Sequence, residues 1–440
     1  MKSGAANIVR QLQAAGFSAF WVGGCVRDFL LGREPDDYDI ATDARPEQIE
    51  KLFKRTITVG RKFSVMIVVE DKHQFQVATF RAEADYKDGR RPTKVVFSSA
   101  EVDAQRRDFT VNGLFYDPIA QKLYDWVGGE KDLCAKIVRT IGSPGERFAE
   151  DHLRLLRAIR FAAQLDFEIE PQTFAALKAN APKIKNISAE RIRDELIKLF
   201  SPPHAARGLV LLRDSGLLEP ILPELAATIS CEQSPDFHPE GSVFEHIRLM
   251  LEKLPSNAAE SLPWAVILHD IGKPVTAERD LQTGAIHFYE HEKIGAVLAE
   301  KILQRLRFPK KQIEEIVACV RQHMQFKDVK QMRKATLRRL LLRKTFPLEL
   351  ELHRLDCLGS HGSLELYEFL VQQAAELEKK PAIRPPLLTG NDLIKLGMKP
   401  GPAMAVLLAE IREKQLQDEL KTSHQARAWV KKQLKVEGIR

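Results

Sequence analysis

The sequence predicts an α+β protein in which a small mixed head precedes a long helical remainder. Up to about residue 140, short strand-like runs such as SAFWV, YDIAT and SVMIVV are mixed with helical stretches such as PEQIEKLF. From about Arg147 onward, segments with a 3.6-residue apolar period dominate, and strand-like alternation nearly disappears. We therefore expect a head built on a small sheet, followed by an all-helical remainder.

Breaks in the helical half divide the chain further. The segment SPPHAA at 201–206 separates two helical blocks, and the proline-rich segment KKPAIRPPLLTG at 379–390 precedes a final helical stretch. At 440 residues the chain is long enough for two to four hydrophobic cores. We predict four parts, which are a head at 1–140, a neck at 141–200, a body at 201–380 and a tail at 381–440.

The composition is that of a globular protein, with 44% hydrophobic and 29% charged residues. No apolar run approaches the ~18 residues that would span a bilayer, and the first residues lack the apolar core of a signal peptide. We therefore expect a cytoplasmic protein without membrane contact. The five cysteines are scattered and never form CxxC, which argues against a disulfide framework or a thiolate zinc site.

Positive charge is concentrated in one part of the chain. The net charge is +7, but residues 301–345 alone hold fourteen Lys and Arg against three acids, a net of +11. A solvated helical face would normally carry acids at i,i+4 spacing, and this segment largely lacks them. The pattern therefore favours a polyanionic partner such as RNA, held through its phosphates.

The stretch GGCVRDFLLG places two glycines between an apolar strand and a helix. Gly23 and Gly24 would let backbone amides and the helix N-terminus face a phosphate, with Arg27 one turn further on. Taken alone, such a glycine pair is more often only a tight turn. The residues that follow it decide between the two interpretations.

The stretch DDYDIAT at 36–42 puts three acids ahead of a strand. Side chains at i and i+2 share a face, so Asp37 and Asp39 should point one way while Asp36 and Tyr38 point the other. Two neighbouring carboxylates repel, and a divalent cation such as Mg²⁺ neutralises them. With a nucleoside triphosphate on the glycine helix, this arrangement suits phosphoryl transfer. An isolated DxD would more simply be a solvated acidic turn.

These motifs, with QRRDFTVNGLFYD and AEDHLRLLRAIRFA further on, follow the order and about the spacing of the class II tRNA nucleotidyltransferases. The chain resembles this family, which builds the CCA end of tRNA and includes bacterial poly(A) polymerases. The resemblance implies a nucleotidyltransferase palm of about five strands. It also implies that Gly24 and Arg27 contact the nucleotide, that Asp37 and Asp39 hold Mg²⁺, and that Arg107 contacts the phosphates.

The stretch AEDHLRLLRAIRF reads as a helix with Asp151 and Arg154 at i,i+3 on one face. Such a pair is ordinarily a surface ion pair worth little energy. A carboxylate acceptor beside a guanidinium donor can also imitate a Watson–Crick edge, and in the resembling family this pair selects the incoming base. Asp151 would accept from the amine of cytosine or adenine, whereas the carbonyl of uracil or guanine would face it as a second acceptor. Arg157 and Arg160 match further nucleotide contacts of the family.

Two details of the head bear on which reaction is expected. The segment FRAEADYKDGRRPTKVVF at 80–97 should be a mobile loop between strand-like runs. In the family, enzymes that add only CC lack most of this loop, so its presence argues against a CC-only enzyme. Gln76 on the strand HQFQVATFR stands where an acid is common in relatives, and we therefore assign no third catalytic carboxylate.

A second candidate site lies in the helical half, where HPEGSVFEHIRLM, WAVILHDIGKP, FYEHEKIGA, VRQHM and HRLDCLG follow one another. Adjacent polar residues at the end of a buried apolar helix need a partner, which is usually a metal. Any one of these histidines alone would more often be a core or surface residue. The series resembles HD-domain phosphohydrolases and implies as metal ligands His246, His269, Asp270 and Asp356, with His291 and His323 added in versions that bind two metals.

The ligand types and the domain combination carry two further expectations. Imidazole and carboxylate without thiolate fit Mg²⁺ or a divalent transition metal better than a structural zinc, and the implied reaction is hydrolysis of a phosphate ester. Among the resembling enzymes, some bacterial tRNA enzymes carry an HD domain, whereas poly(A) polymerases generally lack it. This combination favours tRNA over mRNA tails as the substrate.

The tail segment LLTGNDLIKLGMKPGPAMAVLLAEI at 387–411 contains a GxxPGP turn between two helical stretches. Exposed amides in such a turn could bind a phosphodiester, and a corner of helical packing is an equal alternative. The pattern resembles the tail of the CCA enzymes, where it grips the outer part of tRNA. We therefore favour RNA binding.

The sequence thus predicts template-independent addition of CCA to tRNA from CTP and ATP, with an HD phosphohydrolase module and no obligatory protein partner. An A-adding tRNA nucleotidyltransferase or a poly(A) polymerase would share nearly every motif. A phosphohydrolase with a nucleotide-sensing head is the alternative from another class, and a non-catalytic RNA-binding protein is weaker still. The complete pairs Asp37–Asp39 and Asp151–Arg154 argue against a sensor, which need not keep metal ligands.

Overall fold

The computed structural model describes residues 1–59, 65–87, 91–234, 241–379 and 386–436. The chain divides into two compact units. The first comprises Met1–Ala227 with Ile302–Phe308, and the second comprises Thr228–Lys301 with Pro309–Arg440. Within the described residues, no helix is both long enough and apolar enough to cross a membrane. The predicted division into four parts remains a prediction, and residues 380–385 of the linker predicted at 379–390 lie outside the described residues.

The head mixes short helices and strands, as expected. Its helices are α1 (Lys2–Ala14), α2 (Gly24–Leu30), α3 (Pro46–Leu52), α4 (Ala100–Gln105) and α5 (Gly129–Ala135), with a 3-10 turn at Thr110–Asn112. Its strands are β1 (Ala19–Val22), β2 (Ile40–Thr42), β3 (Thr56–Val59), β4 (Val65–Glu70), β5 (His73–Thr79), β6 (Arg81–Lys87), β7 (Arg91–Phe97), β8 (Phe115–Asp117), β9 (Lys122–Tyr124) and β10 (Ile137–Val138).

Seven of these strands form one mixed sheet in the order β3-β4-β5-β2-β1-β8-β9. Strands β2 and β5 are parallel, and the other neighbours in this sheet are antiparallel. Along β5 buried and more exposed residues alternate, with Phe75, Val77 and Thr79 buried, as expected for a strand with one face on a core. Asp71 and Lys72 join β4 to β5 with positive φ angles of 47° and 66°, the turn geometry that favours a tight hairpin.

Two details of the head differ from the expectations. The sheet has seven strands where about five were expected, and β3 and β9 are its two edge strands. The segment at 80–97, expected to be a loop, contains the antiparallel pair β6–β7, with Arg81 opposite Phe97; residues 88–90 lie outside the described part of the chain. The β-branched residues at its second half favour strand pairing over a loop.

The rest of the first unit is mainly helical. It contains α6 (Pro144–Glu150), α7 (Leu153–Leu165), α8 (Pro171–Asn180), α9 (Ala189–Leu199), α10 (Ala205–Asp214), α11 (Leu218–Ile221) and α12 (Pro223–Ala226), with 3-10 turns at Ala181–Asn186 and Ala227–Ser230. Strand β11 (Glu168–Ile169) pairs in parallel with β10. Helix α7 is buried along most of its length, so its arginines must find partners inside the unit.

The second unit is mainly helical too. It contains α13 (Val243–Glu252), α14 (Ser261–Leu268), α15 (Lys273–Thr276), α16 (His291–Arg305), α17 (Lys310–Gln322), α18 (Lys334–Leu341), α19 (Phe346–Gly359), α20 (Glu365–Lys379), α21 (Gly390–Lys395), α22 (Pro402–Leu416) and α23 (Ser423–Val436), with a 3-10 stretch at His323–Gln331. A short hairpin of β12 (Ala277–Arg279) and β13 (Ile286–Phe288) interrupts the helices. The prediction of an all-helical body is therefore wrong at this ribbon, whose three-residue strands are too short for a periodicity signal.

Candidate functional sites

The first unit contains a cavity of about 680 Å³, lined by residues of the head and of helices α7 and α9. All ten residues that the sequence predicts for nucleotide and Mg²⁺ binding line it. Cationic side chains outnumber acids on its wall, which suits a polyphosphate. The ten predicted residues are Gly23, Gly24, Arg27, Asp37, Asp39, Arg107, Asp151, Arg154, Arg157 and Arg160.

Strand pairing explains why the glycines and the acids meet. Strand β1 runs antiparallel to β2, with Trp21 opposite Ile40, and the amide of Val22 donates to the carbonyl of Asp39 at 3.0 Å. The end of β1, where Gly23 begins the turn into α2, therefore lies beside the start of β2. Gly23 has φ = 76°, a backbone conformation that L side chains rarely adopt.

The two acids precede β2 on one side of the backbone, and Tyr38 between them lies on the other. Asp37 and Asp39 line the cavity, whereas Tyr38 is buried with its ring 4.8 Å from that of Trp21. Burial and the neighbouring Asp37 raise the pKa of Asp39 to about 6, against the lowering effect of Arg107. Two carboxylates that destabilise each other's charge are a fitting donor set for a divalent cation.

Gln76 lies beside this pair. In the parallel pairing of β2 with β5, Ile40 is opposite Val77, so the preceding residues Asp39 and Gln76 occupy adjacent positions, and both line the cavity. Gln76 is an amide, which coordinates a cation only through a neutral oxygen. At this strand position the cavity therefore has an amide and not a third carboxylate.

A chain of hydrogen-bonded charged and polar side chains forms part of the cavity wall. Arg27 donates to Asn112 at 2.7 Å, and Asn112 in turn donates to Asp108 at 3.2 Å. Arg157 donates to Asp108 at 2.7 Å. Burial alone would raise the pKa of Asp108, but its ion pair with Arg157 lowers it to about 2. This network fixes the position of Arg157, which therefore does not depend on a ligand for its orientation.

Sequence reasoning did not identify Asp108 or Asn112, nor two residues of α9. Arg160 lies 2.8 Å from Glu195, and burial lowers the pKa of this arginine to about 10 despite that carboxylate. Arg191 also lines the cavity. The signal available was Glu195 itself, a carboxylate on the apolar face of an amphipathic helix, which needs a charged partner inside the fold.

The prediction that Asp151 and Arg154 lie on one helix is wrong. The helix is interrupted at Asp151, which has φ = −145° and ψ = 106° and ends α6, while Arg154 belongs to α7. The carboxylate of Asp151 accepts the amide N–H of Leu153 at 3.0 Å, which is the hydrogen bond of an Asx turn, and this alternative to the helical hydrogen bond explains the break. The two side chains do face the same cavity, but Asp151 is paired with Arg191 and Arg154 with Glu150.

The second unit brings together all six residues predicted for the HD site. Two groups of three have ligand atoms within 4.8 Å of one another, and they consist of His246, His269 and Asp356, and of Asp270, His291 and His323. These residues come from α13, the end of α14, the start of α16, the end of α17, and α19. The segment HPEG, which contributed to the prediction, lies at 238–241 and is outside the described residues except for Gly241.

The hydrogen bonds of three histidines show which nitrogen faces the site. His269, His291 and His323 each have Nδ1 within 2.7–2.8 Å of the backbone carbonyl three residues earlier. A carbonyl only accepts, so Nδ1 carries the proton, and the neutral ring keeps its lone pair on Nε2. The Nε2 atoms of His291 and His323 are 3.1 Å apart, and those of His269 and His291 lie 3.2 and 3.4 Å from carboxylate oxygens of Asp270.

Acceptor atoms that face one another in this way form a donor set suited to a cation between them. Burial would raise the pKa of Asp270, but His269 and Lys273 lower it well below its usual range. Burial lowers the pKa of His323 to about 4, which keeps this ligand neutral. The residues therefore fit a site for one or two divalent metal ions, since neutral imidazole and ionised carboxylate are the forms that coordinate metals.

Gly272, in the HDIGKP stretch, controls how closely α16 approaches the site. A Cβ atom there would lie 2.3 Å from the carbonyl oxygen of His291 and 2.8 Å from the amide nitrogen of Gly295. We expect Gly272→Ala to push α16 outward, to destabilise the fold by about 1–3 kcal/mol, and to weaken metal binding at His291. Thermal unfolding and a metal titration would measure both effects.

Gly401→Ala is the matched control, because a Cβ atom at Gly401 would meet no atom within 4 Å and the backbone there is extended. If Gly272→Ala unfolded at the wild-type temperature and bound metal with unchanged affinity, the close approach of α16 would have no role in the site.

The basic segment at 301–345 carries less uncompensated charge than its composition indicates. Acids elsewhere in the chain pair with many of its cations, so the missing i,i+4 partners are replaced by distant ones. The expectation of a free polyanion-binding surface is weakened accordingly, because a paired cation attracts phosphate less. The pairs are Arg305–Glu224, Lys330–Glu365, Lys334–Asp418, Arg338–Asp418, Arg339–Glu413 and Arg343–Glu349.

The tail forms its own small core. Leu393, Ile411 and Val430 of α21, α22 and α23 are buried together in it. In the GxxPGP stretch, Gly397 has φ = 95°, and Pro402 is the first residue of α22. The turn between two helices is therefore present, and its binding of a phosphodiester stays a prediction.

Comparisons with known proteins agree with this arrangement. Residues 19–139 match the family profile described as the poly A polymerase head domain, residues 166–229 match the probable RNA and SrmB- binding site of polymerase A, and residues 241–357 match the HD domain. The predicted resemblance is thereby confirmed for both the head and the HD region.

Individual relatives include both CCA-adding enzymes and a poly(A) polymerase. The chain is 43% identical to the CCA-adding enzyme of Geobacillus kaustophilus over 52% of this chain and 57% of that one. It is 42% identical to poly(A) polymerase I of Haemophilus influenzae over 51% of this chain and 52% of that one. The chain thus spans just over half the length of these two relatives.

Two further matches cover most of this chain and most of the matched protein. The CCA-adding enzyme of Bacillus licheniformis is 35% identical over 74% of this chain and 84% of that one. The crystal structure of the Bacillus stearothermophilus CCA-adding enzyme in complex with CTP superposes with a TM-score of 0.75 at 28% identity, covering 99% of this chain and 98% of that one. On this identity and this shared fold, the chain belongs to the CCA-adding enzymes, a family of nucleotidyltransferases.

Proposed function

We propose that this chain adds CCA to the 3′ end of tRNA from CTP and ATP, without a nucleic-acid template. The observation that carries this proposal is the single cavity lined by all ten predicted residues, with the Asp37–Asp39 pair at the start of β2 and arginines around it. The carboxylate pair supplies a metal site, and the arginines supply charge for a triphosphate. The same cavity contains Asp151 and Arg154, the acceptor and the donor proposed to recognise the base.

The residues would divide the work as follows. Asp37 and Asp39 would hold Mg²⁺, which when bound activates the 3′ hydroxyl and neutralises the departing pyrophosphate. Arg27 and Arg107 line the cavity and would contact the phosphates. Arg157 is held in place by its ion pair with Asp108 and adds a fixed positive charge.

Base selection would need no template, because protein groups present a complementary edge. The carboxylate of Asp151 accepts from the amine shared by cytosine and adenine, and the guanidinium of Arg154 donates to the neighbouring ring nitrogen. Uracil and guanine present a carbonyl in place of that amine, which leaves two acceptors facing each other. Buried polar groups left unpaired in this way give strong discrimination between substrates.

The partners follow from this reaction. They are tRNA, CTP and ATP, and a cytoplasmic location agrees with them. The turn at Gly397 and Pro402 and the basic segment at 301–345 are the surfaces that we propose for the rest of the tRNA. Since many cations of that segment are paired with acids, we expect the tRNA affinity to depend on a smaller number of phosphate contacts than the segment's net charge of +11 indicates.

Incubation with three tRNA transcripts tests the proposal. The transcripts end before CCA, after C and after CC, and each is given labelled CTP or ATP with Mg²⁺. We expect addition of C, C and A in turn, after which incorporation stops. Extension of only the transcript that ends in CC would identify an A-adding enzyme, and a long A tail would identify a poly(A) polymerase, as the similarity to poly(A) polymerase I allows.

A second activity is proposed for the HD site, as a phosphatase or cyclic phosphodiesterase. The observation that favours it is the convergence of six ligands into two adjoining groups of three, with lone pairs directed at one another. A divalent transition metal or Mg²⁺ would occupy it. If no nucleotide were incorporated into any transcript, this site would carry the function and the head would be a nucleotide sensor.

A further inference from the structure

The carboxylate of Asp151 is held by an arginine of another helix. Arg191, on α9, donates through Nη2 to Oδ2 of Asp151 at 2.8 Å and through Nη1 to Oδ1 at 3.3 Å. Both residues line the nucleotide cavity. The side chains of Asp151 and Arg191 are 19% and 31% exposed, so they are reachable from the cavity. This contact therefore belongs to the site and not to the interior of the fold.

The contact with Arg191 determines how many acceptor positions of the Asp151 carboxylate remain for a hydrogen bond to a base. Oδ1 accepts from Arg191 and from the amide N–H of Leu153 at 3.0 Å, and Oδ2 accepts from Arg191. An ionised carboxylate has about four acceptor positions, so these three hydrogen bonds leave one, on Oδ2. Donors from two separate elements fix the plane of the group. A single acceptor of fixed direction is what recognition of one amine requires.

We propose that Arg191 is a specificity-determining residue that orients Asp151 toward the base. The inference rests on the proposed function, in which Asp151 accepts the amine of cytosine or adenine. In this role Arg191 positions the carboxylate and does not take part in the reaction. A planar guanidinium makes the two parallel hydrogen bonds that fix a carboxylate plane, whereas an ammonium group makes one at a time.

Stability alone does not account for this ion pair. Partly exposed ion pairs contribute little to the free energy of unfolding, since solvent screens them and ordering two long side chains costs entropy. Arg193, two residues further along α9, makes a comparable pair with Asp194 at 2.7 Å but does not line the cavity. The two arginines therefore offer a matched comparison between an ion pair inside the site and one outside it.

The test compares kcat/KM for CTP and for UTP on a tRNA transcript that ends before CCA. We expect Arg191→Ala to lower the CTP/UTP ratio about tenfold, mainly by raising KM for CTP. Arg191→Lys should lower the ratio by a smaller factor, since one of two hydrogen bonds is kept. Arg193→Ala should leave the ratio at the wild-type value. Thermal unfolding of each variant checks that the fold is retained.

Two results would overturn the inference. One is an unchanged CTP/UTP ratio in Arg191→Ala and Arg191→Lys while the wild type discriminates. The other is an equal loss of activity with both nucleotides, which would assign Arg191 a general electrostatic role. If the wild-type chain incorporated neither nucleotide into tRNA, the proposed function would fail first, and this inference with it. The reaction of the wild-type chain thus distinguishes failure of the proposed function from failure of the inference about Arg191.

Discussion

Replacement of Asp39 by alanine is expected to lower the rate of nucleotide addition about 1,000-fold or more. Asp39 is one of two carboxylates at the start of β2, and burial together with Asp37 raises its pKa to about 6. A charge held beside a like charge in a partly buried position destabilises the fold unless a cation neutralises it. Because both acids line the same cavity, we expect them to share a cation that the reaction requires.

The affinity for tRNA should change little in the same variant. Phosphates of a nucleic acid are attracted by lysine and arginine side chains, and the arginines of the cavity keep their own partners, as Arg157 does with Asp108. Removing one acid from a cationic wall would if anything strengthen that attraction. Initial rates of ATP incorporation on a transcript ending in CC, and filter binding of tRNA at fixed salt concentration, would separate the two effects.

Two further variants sharpen this experiment. Asp36→Ala is the matched control, because Asp36 is in the same turn but is exposed and does not line the cavity. Asp39→Asn keeps the shape of the side chain and removes its charge, so it should be as inactive as the alanine variant. Addition at the wild-type rate in either Asp39 variant would remove this residue from metal binding.

Much of the head could be predicted from local sequence patterns, because strand periodicity decides which side of the chain a residue faces. The alternation through Asp37, Tyr38 and Asp39 predicts two acids on one side and a buried ring between them, as found. The pairing partner of a strand is a different matter. The antiparallel register of Trp21 with Ile40, which brings the glycine turn to the acids, depends on contacts that no local pattern contains.

The break at Asp151 illustrates an error with an identifiable cause. The apolar periodicity continues across AEDHLRLLR, so the stretch reads as one helix. The carboxylate of Asp151 instead accepts the amide N–H of Leu153, and short acidic side chains favour such local turns over helix interiors. The signal was therefore present in the residue type. Whether this preference of the aspartate or the apolar periodicity decides the local structure depends on tertiary contacts. Here Arg191 gives the carboxylate of Asp151 a second partner.

The HD ligands are a contrasting case. Their six positions followed from a resemblance, since residues 110 positions apart, such as His246 and Asp356, carry no local sign of contact. The structure adds the physical means of their approach. A Cβ atom at Gly359 would lie 2.8 Å from Met250, so this glycine permits close packing of α19 against α13. A glycine within a predicted helix, close to a candidate ligand, thus indicates a position where two helices pack closely.

Replacement of His269 by alanine is expected to abolish metal binding at the first group of HD ligands. His269 is 1% exposed, and its Nδ1 is occupied by the carbonyl of Val266 at 2.8 Å, so Nε2 is the atom left for coordination. With one of three ligands removed, we expect metal affinity and any metal-dependent hydrolysis of phosphate esters to fall about 100-fold or more. Addition of nucleotides to tRNA should stay within about twofold of the wild type, because no head residue belongs to either group of ligands.

Metal content after dialysis, titration with Mn²⁺, and hydrolysis of a 2′,3′-cyclic nucleotide would be measured beside nucleotide addition on the same preparations. His287→Ala is the matched control, since His287 is an exposed histidine of β13 that stacks on Tyr289 and is in neither ligand group. Metal bound by His269→Ala with wild-type affinity would remove His269 from the ligand set. Loss of both activities together in His269→Ala, with His287→Ala unaffected, would mean that the HD site supports nucleotide addition, because a purely hydrolytic module has no step in that reaction to contribute.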